Sequence, residues 1–158
     1  DGHAMVVFDR LALLDSALRY VEGTAEGSDE ERKEVIRRKA LHILNDLFGG
    51  NEEQRQLLDA TIDVLSTRRI SRIVAQPSRR SFFAVDVESG WSQARRYACF
   101  DDYCSCPDFA AAAATTKPEV LCKHVLAARV APFLATVDVK EIPDRDYHAT
   151  ISSRFHAL

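Results

Sequence analysis

The chain has 158 residues, a formal net charge of −3, 46% hydrophobic residues and 28% charged residues. This balance fits one folded domain with a real core and excludes wholesale disorder. The longest apolar stretch, Phe109–Ala114, is far shorter than the ~20 residues of a membrane span. The N-terminal segment lacks the charged-then-apolar layout of a secretory leader, so neither secretion nor membrane insertion is expected.

Residues 1–4, ahead of the single methionine Met5, read as the remnant of an expression tag. Val7, Leu11, Leu14, Leu18 and Val21 recur at helical spacing, which predicts an amphipathic helix over 6–21. Ser28-Asp-Glu-Glu31 is a capping-box signature. It opens a helix that carries Val35, Ile36, Ala40, Ile43, Leu44 and Leu47 to Phe48 and stops at Gly49-Gly50. A third helix starts at Asn51 and presents Leu57, Leu58, Ile62 and Leu65. The apolar period then falls from 3.6 to 2. Arg69–Gln76, Ser81–Glu88 and Trp91–Phe100 read as strands, separated by turns at Pro77-Ser-Arg-Arg80 and Ser89-Gly90. Turns this short imply a three-stranded antiparallel meander. A short helix is predicted from Pro107, a break at Lys117-Pro118, a helix through Val120–Leu134, and a last helix from Asp144 carrying Tyr147, Ile151 and Phe155.

The expected fold is thus α+β: N-terminal helices, the meander, and a metal site joined to C-terminal helices. The chain divides into a helical region at 5–66, the meander and metal site at 67–135, and a tail with a helix at 136–158.

The metal site is the strongest chemical signal. Cys104-Ser-Cys106 and Cys122-Lys-His124 are two chelating arms separated by fifteen residues. Three thiolates and one imidazole are the usual donors to Zn²⁺, and four protein ligands leave no open position for a catalytic water. One structural zinc ion is therefore expected. A disulfide framework would also use cysteines, but C-x-C neighbours close too small a ring for a comfortable bridge. Four unrelated buried side chains are the other alternative, and the paired arms argue against it. Cys99 lies outside the pattern and reads as a buried strand thiol. Asp101, Asp102 and Tyr103 read as loop residues, and Lys117 and Lys123 as neighbours that offset thiolate charge. His42, His148 and His156 read as surface histidines. The chain lacks H-E-x-x-H, the zinc deaminase pair H-x-E and P-C-x-x-C, and the phosphate loop G-x-x-x-x-G-K-[ST]. No enzymatic activity and no small-molecule substrate are expected.

Charge is unevenly spread. The balance is −5 over Asp9–Asp63, +5 over Arg68–Arg96 and −2 from Tyr97 onward. The basic stretch rests on Arg68, Arg69, Arg72, Arg79, Arg80, Arg95 and Arg96. Arginine forks suit phosphates and carboxylates, so these seven are candidates for contact with nucleic acid or a partner. The plainer alternative is the solvated face of a sheet. Trp91, Phe82, Phe83 and Tyr97 are interleaved with them, as in single-strand binders that stack bases.

C-x-C, a spacer and C-x-H-x-x-A form the pattern of the SWIM-type zinc finger, here Cys104, Cys106, Cys122, His124 and Ala127. The words Cys104-Ser-Cys-Pro-Asp-Phe109 and Leu121-Cys-Lys-His-Val-Leu-Ala127 resemble the small SWIM-domain subunits of Shu complexes. Leu47-Phe48-Gly49 and the hairpin around Pro77-Ser-Arg-Arg80 are similar too, so the resemblance covers roughly residues 41–134. It implies a nuclear, non-enzymatic subunit that pairs with a RecA-like recombinase paralogue and promotes recombinase filament assembly on single-stranded DNA in homologous recombination. DNA contact is then expected through the complex. The alternative is a SWIM-finger protein that binds DNA directly, as a transposase-derived protein or transcriptional regulator. The acidic N-terminal helices, the alanine-rich spacer and the tail after Asp138 depart from the Shu-subunit pattern.

Overall fold

The computed structural model describes residues 3–67, 69–87, 95–115, 120–134 and 137–155, with side chains from Arg10 onward. Three helices come first: α1 (His3–Thr24), α2 (Asp29–Phe48) and α3 (Glu52–Thr67). The start of α2 is set by the capping box. The Ser28 side chain accepts the Glu31 backbone N–H, and the Glu31 carboxylate accepts the Ser28 backbone N–H at 2.8 Å. Leu14, Leu18, Ala40, Leu44, Phe48 and Leu58 form the buried seam between these helices.

Strands β1 (Arg69–Gln76), β2 (Ser81–Val87) and β3 (Arg95–Cys99) follow. They pair antiparallel in sequence, β1 with β2 and β2 with β3. The β1–β2 turn closes with Arg79 donating its N–H to Ala75 O at 2.7 Å. Arg79 takes a left-handed φ of 64° there. The second predicted turn, at Ser89-Gly90, and the break at Lys117-Pro118 lie outside the described residues.

The expected three-stranded antiparallel meander is corrected to a four-stranded mixed sheet. Val137–Pro143 forms a fourth strand, β4, which runs parallel to β1 in the register Ile70↔Val137 to Gln76↔Pro143. The sheet order is β3-β2-β1-β4. A parallel neighbour needs a long crossover. Here the crossover runs through β2, β3 and the helices α4 (Pro107–Ala113) and α5 (Lys123–Val130). The expected helix through Val120–Leu134 is also shorter than its periodicity suggests. It begins only after Cys122, its N-cap, and passes into a 3₁₀ turn at Ala131–Leu134. Pro132 has no N–H to continue the α-helical ladder. The last helix, α6 (Asp144–Ser152), starts at the predicted residue.

The two faces of the sheet are covered differently. Ile73, Phe82, Ala84 and Ala98 pack against Ile142, Tyr147 and Ile151, which places α6 on one face. Ile70, Val85, Tyr97 and Cys99 face the other way, toward Val64 of α3 and Val125, Ala127 and Ala128 of α5. Helix α5 is the joint of the molecule. Its Leu126 and Val130 complete the seam of the N-terminal helices, while Val125 and Ala128 pack on the sheet. Among the described residues no helix is long and apolar enough to cross a membrane.

Candidate metal centre

Cys104, Cys106, Cys122 and His124 converge at the end of the sheet, with their ligand atoms all within 4.8 Å of one another and all four side chains buried. The local sequence places each of them. Cys104 is drawn back against β3 by a bridge to Cys99. Cys106 is the N-cap of α4, and Pro107 fits the first helical turn because its missing N–H would have no partner there. Cys122 is the N-cap of α5, and His124 follows in the first turn of that helix. The two capping sulfurs accept backbone N–H groups, Cys106 from Phe109 at 3.3 Å and Cys122 from Val125 at 3.5 Å. Helix N-termini favour negative charge, so both caps support thiolates.

The donor set fits zinc. A tetrahedral ion with bonds of ~2.3 Å to sulfur and ~2.0 Å to nitrogen holds its ligand atoms roughly 3.5–3.8 Å apart. Both ring nitrogens of His124 are buried without a hydrogen-bond partner. Such a group costs about 1–3 kcal/mol unless something takes its lone pair, and a metal does so. The sulfurs carry the corresponding signature. Cys106 is held well below the usual thiol range because Cys104 and then Cys122 donate to it. Cys104 is pushed up, chiefly by donating to Cys106. Cys122 is pushed up by donating to Cys104 and Cys106 and by burial. A divalent ion would displace the thiol protons and offset two of the three thiolate charges.

The surroundings fix the cluster. The Tyr97 ring lies 4.8 Å from the His124 ring, centroid to centroid. Ser105, between the two ligands of the first arm, donates its hydroxyl to Arg154 O at 3.1 Å and accepts Ala98 N–H at 2.9 Å. Lys123 bridges the arms through Asp108 at 3.8 Å. Arg129 ties α5 to α1 through Asp15 and holds the zinc loop through Asp101 O, both at 2.6 Å. Tyr103 packs edge-on against Phe109. Cys99 is fully buried in β3, with its sulfur 3.4 Å from that of Cys104. The sequence pattern does not reveal Ser105, Arg154 or Arg129 as parts of this frame, because their partners are 28 to 114 residues distant. Lys117 and His156 lie outside the described residues. His42 and His148 are exposed.

The arginines do not form one surface. Arg69 and Arg96 flank Asp86 across the two strand pairs, and Arg154 reaches the same carboxylate at 2.6 Å. Arg72 falls on the opposite face by strand alternation and lies 3.4 Å from Ser81 Oγ. Arg95 pairs with Val87 at the far end of β2. Arg79 and Arg80 sit in the β1–β2 turn. Arg80 stacks on Tyr147 at 4.7 Å and lies 3.9 Å from Asp144. Arg68 and Trp91 lie outside the described residues. Phe82 and Tyr97 are buried core residues rather than open stacking platforms, and Phe83 is half-buried.

No family model matches the chain. It is 32% identical over 131 residues to a zinc finger SWIM domain-containing protein 7 homolog from Dictyostelium discoideum, a match covering 73% of this chain and 81% of that protein. A curated relative of that name, together with a buried S₃N cluster on the C-x-C and C-x-H arms, accounts for one structural zinc ion. The chain belongs to the SWIM domain-containing zinc-finger proteins.

Proposed function

We propose that the protein is a non-enzymatic subunit of a Shu-type complex that pairs with a RecA-like recombinase paralogue. In this role it helps recombinase filaments assemble on single-stranded DNA during homologous recombination in the nucleus. The observation that carries the reading is a closed S₃N site whose arms are the N-caps of two helices. Such a centre staples structure and offers no coordination position to a substrate. A chain of this kind acts through its surfaces. Leu13 and Tyr20 stand exposed seven residues apart on α1, and Leu41 is exposed on α2. On another side of α1 a cleft of about 260 Å³ is lined by Asp15, Arg19, Phe83, Phe100, Arg129 and Phe133. Exposed apolar side chains and a mixed-charge cleft suit a protein partner better than a nucleic acid backbone.

The test is affinity purification of the tagged protein from its native cells, read by mass spectrometry. Near-equal recovery of one small RecA-like ATPase supports the reading. Recovery of nucleic acid or transcription factors, with no such ATPase, would replace it with direct DNA binding. The exposed Arg79 at the hairpin tip favours that second reading, while the dispersal of the other arginines weighs against it. Phosphate binding predicts a steep fall of affinity with salt and its loss in Arg79→Ala/Arg80→Ala.

A further inference from the structure

Among the described residues the two edges of the sheet are unlike. The β3 edge is closed at Cys99 by the bridge to Cys104, whereas β4 pairs only with β1. Asp138, Val139, Lys140 and Glu141 are all exposed, and Val139 is 64% exposed. An open edge with an exposed β-branched residue is a template for another strand. An edge lysine ordinarily guards against this, since it repels its own copy.

In β4 that guard is cancelled in one register. A second β4 laid antiparallel about a two-fold axis at Val139 sets Asp138 opposite Lys140 of the other copy, and Lys140 opposite its Asp138. Val139 then meets Val139, and Val137 meets Glu141. Two-fold axes at Asp138 or at Lys140 would instead oppose like charges. Alternation puts Asp138 and Lys140 on the sheet face covered by α6 and Val139 on the other. Pairing would therefore place two ion pairs on one face and an apolar contact on the other. We infer that β4 is a self-association edge, through which two copies of this chain join their sheets in the antiparallel register centred on Val139. This goes beyond pairing with a recombinase paralogue and does not depend on it. Such an edge contact is small, and the dimer is accordingly weak and concentration-dependent.

The test is sedimentation equilibrium of the whole zinc-loaded chain, with circular dichroism and zinc content confirming the fold of each variant. Asp138→Lys and Lys140→Asp each place like charges opposite one another twice. Each is expected to weaken the dimer about tenfold, as two cross-strand pairs change sign. The exchange Asp138→Lys/Lys140→Asp is expected to recover it. Mixing the two single variants is expected to give a heterodimer tighter than either homodimer. A chain that stays monomeric at every concentration would overturn the inference. So would a dimer indifferent to both reversals, or a mixture of the single variants that does not associate.

Discussion

Arg154 and Asp86 meet at 2.6 Å although 68 residues separate them. The guanidinium side chain is 10% exposed and the carboxylate 27%. The same arginine holds Ser105 through its backbone carbonyl, so this pair fastens α6 and the first zinc arm to the middle of the sheet. Removing one member of a buried pair strands the other charge, which costs roughly 3–5 kcal/mol when burial is complete. The partial exposure of Asp86 and the cross-strand neighbours Arg69 and Arg96 reduce this, and Arg154→Ala is expected to cost about 2 kcal/mol in urea unfolding. Arg154→Leu combined with Asp86→Leu removes both charges and is expected to cost less than the single change.

Leu126 is fully buried among Leu14, Leu18, Leu44 and Phe48, two residues from the ligand His124. Leu126→Ala leaves the donors intact but opens a cavity where α5 meets the N-terminal helices. The expected loss is about 3 kcal/mol. Because zinc binding and folding are linked, the same variant should bind zinc more weakly in competition with a chelator. Unchanged zinc affinity alongside lowered stability would show that the helical layer and the metal site fold independently.

The ease with which each part was read follows from how local its signals are. The capping box at Ser28, the stop at Gly49, the Pro77 turn and the two ligand arms are encoded within a few residues, and α2, β1 and the metal cluster stand where the residues place them. Strand β4 carries no comparable signal. Only Val137 and Ile142 of its seven residues pack against apolar neighbours, and its partner β1 lies 67 residues away. The alternation Val137-Asp-Val139-Lys140 lasts only four residues before Glu141 breaks it, and no short turn joins the strand to β1. The dispersal of the arginines has the opposite cause. They are close in sequence, but the period of two and the hairpin turn send Arg72, Arg80 and Arg96 to different places.

Glu31 gives a pH dependence with a definite sign. Its carboxyl is held below the ordinary value of 4.5, first by the Ser28 backbone N–H and then by the Ser28 hydroxyl. A depressed carboxyl favours the folded helix start above the ordinary value, and that contribution disappears as pH falls through the lowered one. The protection of the first-turn amides of α2, taken relative to their intrinsic exchange rates, should therefore fall on acidification below pH 4.5. Glu31→Gln keeps an acceptor for the box but does not titrate, so its exchange there should lose this step. A step of equal size in the variant would assign the effect to another group.

Zinc removal should have the largest effect. The ion joins Cys104 beside β3, the cap of α4 and the cap of α5, and α5 in turn carries Leu126 and Val130 into the helical seam. Apparent zinc-binding energies of about 10–16 kcal/mol are as large as the whole stability of a typical domain. A strong chelator should abolish the near-ultraviolet circular dichroism of the folded chain, and one equivalent of zinc should restore it. Cys122→Ser should behave as the stripped protein does and show the same defect in every interaction assay. Zinc uptake must also expel the protons carried by Cys104 and Cys122, both pushed up by their neighbours. Affinity should therefore rise with pH, and calorimetry in buffers of different ionisation enthalpy should detect proton release. A chelated chain that kept its tertiary signal would show that the sheet and helices hold α5 in place without the metal.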